Sequence, residues 1–101
     1  MLTSKQRAYL RGLANGIDTI LIIGKGEITD NIIMQADTAL TARELIKGRA
    51  LENSAYSSRK CADILAKKCN ADVVQVIGSK FVLYRANPDE PVIVLPKAGK
   101  K

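Results

Sequence analysis

The chain has 101 residues, 47% of them hydrophobic, with a net charge of +6 and no histidine. That length suits one domain with a single modest core. Three of the six net charges belong to Lys97, Lys100 and Lys101. The remainder is a mild basic bias that permits a polyanionic partner without demanding one. Aromatics are few (Phe81, Tyr9, Tyr56 and Tyr84, no Trp), so the core must be aliphatic and base stacking is a minor resource.

"LTSKQRAYLRGLANG" reads as a first helix. Thr3 is its N-cap, Gln6 completes a capping box, and Gly16 is the stop. Leu2, Tyr9, Leu10 and Leu13 form the apolar side, with Arg7 and Arg11 roughly opposite and Lys5 close to them. "DTILIIG" is a strand whose unbroken Ile20–Ile23 run predicts burial on both faces. The turn "GKGE" leads to a second helix from Thr29 or Asp30, with Ile32, Ile33, Ala36, Ala39 and Leu40 as its stripe. "ELIKGRAL" is a second strand, with Lys47 and Arg49 on the face opposite Ile46 and Ala50. Gly48 inside it marks a bulge or a close approach.

Residues 57–70 form a third helix. Cys61, Ala62, Leu65 and Cys69 face inward, and Asp63 lies among cations with Lys60 or Lys67 as its partner. "DVVQVIG" and "KFVLYRA" are strands joined by a tight turn at Gly78–Ser79. "NPDEP" breaks the chain, and "VIVLP" is expected to add a short edge strand. The order α-β-α-β-α-β-β predicts an α/β fold: a four-stranded mixed sheet covered by three helices, with right-handed crossovers and an antiparallel last pair. Residues 1–96 are read as one domain and 97–101 as a basic tail.

Catalysis has little support. There is no histidine base, no G-x-S-x-G elbow and no Walker pattern. Glu27 and Asp30 are better read as helix-start acids than as a catalytic pair. The cysteines lie too far apart on one helix to pair, and they read as buried, reduced thiols. No metal, cofactor or small-molecule substrate is expected. Nothing resembles a signal peptide or a membrane span, so a cytoplasmic protein is expected. A glycine-bearing turn at a helix N-terminus, with Lys25 at its tip, suits an anion. A hnRNP-K-homology domain grips RNA with a G-x-x-G loop, although here position 27 is Glu.

"LTSKQRAYLRGLA", "IGKGEIT", "ARELIKGRAL" and "VQVIGSKFVLYR" resemble, in order and spacing, the YhbY family of single-domain bacterial relatives of the CRM (chloroplast RNA splicing and ribosome maturation) domain. The resemblance covers roughly residues 2–96. It implies a fold like the C-terminal domain of translation initiation factor three. It also implies non-catalytic RNA binding, to ribosomal RNA in precursors of the large ribosomal subunit. Plant relatives act in group II intron splicing. The family's RNA contacts carry over to Gly24, Lys25 and Gly26, and to Lys5, Arg7 and Arg11. Lys47 and Arg49 are secondary candidates. Two departures stand out: Glu27 replaces the loop's last glycine, and Gly48 replaces a β-branched residue, which is expected to weaken packing there. A protein-interaction module docking on a ribosomal protein or assembly factor is the alternative.

Overall fold

The computed structural model describes residues 2–25 and 28–96. The elements are α1 (Ser4–Ala14), β1 (Thr19–Ile23), α2 (Asp30–Arg43), β2 (Leu45–Ala50), α3 (Ser58–Cys69), β3 (Asp72–Ile77) and β4 (Lys80–Tyr84). They build the expected four-stranded mixed sheet, in the order β1-β2-β4-β3. β1 runs parallel to β2, and β4 is antiparallel to both β2 and β3. β3 is therefore parallel to β2 across a gap that β4 fills.

Each face of the sheet has its own core. Leu21, Ile23, Ile46, Phe81 and Leu83 face α2 and α3, which contribute Ala36, Leu40, Cys61, Ala62 and Leu65. On the other face Leu45, Val74, Val82 and Tyr84 pack against Leu10 and Ala14 of α1. The capping box of α1 forms as read: Gln6 N–H donates to Thr3 Oγ1 and Thr3 N–H to Gln6 Oε1, each at 3.1 Å. The hairpin turns at Gly78, whose φ of 56° suits glycine. Both cysteines are free and buried.

Several expectations are corrected. β1 is not buried on both faces: Leu21 and Ile23 are 3% and 1% exposed, but Ile20 and Ile22 are 36% and 49% exposed. β1 is an edge strand, and α1 lies over β2 and β3 instead. The buried stripe of α1 is Leu10 and Ala14, while Tyr9 and Leu13 are exposed. Asp63 pairs with Arg59 at 3.6 Å rather than with a lysine. Gly48 marks a close approach: a Cβ there would lie 2.4 Å from Phe81 Cζ. The Phe81 ring fills the space that a side chain at position 48 would take, so the packing is filled rather than weakened. A register irregularity also lies opposite Gly48, between Thr19 and Leu21 of β1, which pair with Lys47 and Gly48, and a second falls between Val73 and Gln75 of β3.

"VIVLP" forms no strand. Its first two amides are taken by Glu44, which caps the end of α2 instead of opening β2. Glu44 has φ 65° and is fully buried. Its carboxylate accepts N–H groups from Asn87 (2.6 Å), Val92 (2.7 Å) and Ile93 (2.6 Å). Its carbonyl accepts from Arg85 N–H at 2.9 Å. Residues 86–96 thus form a strap that turns back towards α1. There Ile93 and Leu95 join the second core and Gln6 Nε2 donates to Pro96 O at 3.1 Å. The Arg85 guanidinium ties α2 to α3 through Asp37 Oδ1 (2.6 Å), Thr41 Oγ1 (2.7 Å) and Cys69 O (2.8 Å).

Burial raises the affinity of the Glu44 carboxyl for its proton, but the three N–H donors outweigh it, so its pKa lies below the ordinary 4.5. Unfolded chains bind this proton more readily than folded ones. The stabilisation is therefore fully present above about pH 4.5 and is lost as pH falls through the lower folded value. Thermal unfolding across pH should show that Glu44→Gln flattens this acid-side loss. Glu44→Ala, which leaves three buried amides unpaired, should cost about 3 kcal/mol. Gly48→Val should cost about 2 kcal/mol by overpacking against Phe81. Adding Phe81→Leu should recover part of that loss, as read by denaturant unfolding.

Candidate nucleic-acid interface

Strand directions gather the β1–α2 turn, the β2–α3 loop and the β3–β4 hairpin at one end of the sheet. These segments are linked. Lys25 makes a backbone bridge with Ser54. Leu51 N–H donates to Ile23 O (2.9 Å), and Ala50 N–H to Ser79 O (2.8 Å). Ser58 Oγ donates to the Gly78 carbonyl. Ser54 shapes its own loop, donating to Tyr56 O (2.9 Å) and accepting Tyr56 N–H (3.2 Å). The N-termini of α2 and α3 open at this end, capped by Thr29 and Ser57. Their dipoles favour negative charge there. The first turn of α3 carries no acid.

Lys25 is exposed in the β1–α2 turn, and Gly24 precedes it in half-buried backbone. Gly26 and Glu27 lie outside the described residues. Gly24 does not adopt a positive φ, and a Cβ there would sit 3.9 Å from Leu51 Cδ1, an ordinary contact. The fold itself therefore does not require glycine at this position.

The sheet face carrying α1 is only partly covered. Beyond the end of α1 a row crosses all four strands: Ile22 beside Arg49, Arg49 beside Lys80, and Lys80 beside Ile77. All four are exposed. Lys47 is half-buried two residues back along β2 on the same face, in a cleft it shares with Asn15, Gln75 and Lys80. The sequence reading placed Lys47 and Arg49 on one face but missed Lys80. The available signal was its alternation with Val82 and Tyr84 once the hairpin register is drawn.

The cations of α1 are less united than expected. At about 100° per residue, Lys5 points about 160° away from Arg7 and about 120° from Arg11. Arg7 is half-buried on the flank of the packed stripe, its Nε enclosed without a hydrogen-bond partner. Arg11 is exposed one turn before Asn15. It lies about 160° around the helix from Leu13. Leu13 faces Ile20 and the β1 side, so Arg11 belongs to the β3 flank. Among the described residues, ion pairs join Arg59 to Asp63 and Arg85 to Asp37, and none neutralises Lys25, Lys47, Arg49, Lys80 or Arg11.

The chemistry available is charge and backbone contact. Burial pushes the Cys61 and Cys69 thiols up, away from thiolate reactivity; nearby Asp37 adds to the effect at Cys69. Among the described residues no group of His, Cys, Asp or Glu could hold a metal ion, and no helix is long and apolar enough to cross a membrane.

Residues 2–85 match the family model of the CRS1 / YhbY (CRM) domain. A Bacillus subtilis protein named probable RNA-binding protein YqeI is 41% identical over 95% of this chain and all of its own length. A Methanocaldococcus jannaschii protein, also named a probable RNA-binding protein, is 31% identical over 99% of this chain and 75% of its own. The solution structure of a Staphylococcus aureus hypothetical protein superposes with a TM-score of 0.79, at 46% identity, covering 95% of this chain and all of that one.

Since the fold has room for a side chain at position 24, Gly24→Ala should leave the unfolding temperature unchanged or slightly raised. If an anion approaches this backbone, the same change should weaken binding of a structured nucleic-acid probe about threefold or more in a fluorescence titration. Unchanged binding would remove Gly24 from the interface.

Proposed function

The chain belongs to the CRS1/YhbY (CRM) family, and on that premise we propose that it is a non-catalytic RNA-binding protein whose target is ribosomal RNA in precursors of the large ribosomal subunit. It works in the cytoplasm, without cofactor or membrane. The observation that carries the RNA reading is a set of cations at and beside one end of the sheet that have no acidic partner among the described residues: Lys25, Lys47, Arg49, Lys80 and Arg11. Family membership favours RNA over other polyanions. Lys25 and the backbone of Gly24 meet phosphate at the turn. Arg11 adds charge from the β3 flank of α1. Lys5, on the other side of α1, and Arg7, with its enclosed Nε, are weaker contributors than the sequence suggests.

Phosphate contacts of this kind release counterions, so affinity falls steeply with salt. Titration with structured ribosomal RNA across a salt series should give a steep log–log slope. In the Lys25→Ala, Arg11→Ala double variant that slope should be shallower by about two, with circular dichroism unchanged. An unchanged slope would remove both residues from the site. Docking on a protein of the ribosomal particle is the competing reading, favoured by exposed Ile20 and Ile22 on β1. Co-sedimentation that survives nuclease and high salt would establish it, and loss under either treatment would establish RNA.

A further inference from the structure

Arg49 and Lys80 are direct cross-strand partners in the β2–β4 pair. Like charges at such positions repel and destabilise a sheet. Both side chains are exposed, and neither has an acidic partner among the described residues. Lys47, two residues along the same face of β2, adds a third cation. The fold gains nothing from this grouping, whereas an anionic ligand would.

The spacing narrows the ligand. Neighbouring strands lie about 4.8 Å apart, and alternate residues along a strand about 6.7 Å. The three cations are thus separated by distances close to the step between successive phosphates on one strand of a nucleic-acid helix. The flanks of the row are Ile22 and Ile77. RNA-binding sheets that read unstacked bases do so with aromatic platforms. Here Phe81 and Tyr84 are buried, so the open face offers no ring on which a splayed base could stack.

We propose that the open half of the sheet face, through Lys47, Arg49 and Lys80, holds consecutive phosphates of one strand of helical RNA, so that the protein selects base-paired over unstructured RNA. The proposal rests on the RNA reading above and adds to it a second surface and a class of RNA. It makes the like-charged pair a binding device that the free fold carries at a cost.

The test uses the whole chain, with an RNA hairpin of mixed sequence and a polyuridine strand of equal nucleotide count as probes. The wild-type protein is expected to bind the hairpin more tightly. In the Arg49→Ala, Lys80→Ala double variant, hairpin affinity should fall roughly tenfold and its salt slope should flatten by about two. Polyuridine affinity should change little. The unfolding temperature should hold or rise, because a repulsive pair has gone. The charge-retaining Arg49→Lys, Lys80→Arg swap should keep most of the hairpin affinity. A double variant that binds the hairpin like wild type overturns the sheet-face site while leaving RNA binding through the turn intact. Equal losses on both probes overturn the preference for helical RNA. Wild-type protein that binds neither probe overturns this inference together with the RNA reading.

Discussion

The arrangement depends on one buried carboxylate. Glu44 sits at the corner where α2 ends and β2 begins, in a backbone conformation that non-glycine residues rarely adopt. Three N–H groups from the strap converge on its oxygens, and its own carbonyl holds the first residue after β4. A buried charge without such donors would be strongly unfavourable. The strap without such an acceptor would carry three unpaired amides. Each therefore requires the other, and together they fix where the helix stops, where the strand starts and how the chain leaves the sheet.

From that corner the strap returns to α1, and the seat of α1 decides what remains open on the sheet. Leu10 and Ala14 centre the helix over β2, β3 and β4, against Leu45, Val74, Val82 and Tyr84. The part of this face nearest the hairpin is left uncovered, as is β1 at the edge. Cations that would be buried under a longer or shifted helix stand in solvent instead. The candidate interface is thus a by-product of core packing: the apolar residues set the helix position, and the uncovered remainder is where charge can be displayed without a desolvation penalty.

Much of the fold was legible in the sequence because it follows from short-range periodicity. The capping box of Thr3 and Gln6, the stripe of α3 and the turn at Gly78 are local patterns, and all are observed. What was not legible depends on residues distant in sequence. Glu44 looked like the first residue of a strand because its partners lie 43 to 49 positions away. "VIVLP" has strand composition, but its Val92 and Ile93 amides are held by Glu44 and the sheet edges are β1 and β3. The apolar run of β1 resembled a central strand, yet sequence alone does not say which strand ends at an edge. Of the site, the turn with Lys25 and the pair Lys47 and Arg49 could be read directly. Lys80 required the register of β4 against β2, and the separation of Lys5 from Arg7 required knowing which face of α1 is packed.

The packing of α1 bears on the order in which the fold assembles. This helix precedes every strand of the sheet, yet every sheet residue it packs against except Leu45 comes from β3 or β4, and Ile93 and Leu95 follow only in the strap. The hydrogen bond from Gln6 to Pro96 joins positions 90 residues apart. Contacts of such long range form only after most of the chain is available. The apolar stripe of α1 therefore stays unsatisfied until β3, β4 and the strap are in place, so this helix docks late in folding although it precedes every strand in the chain.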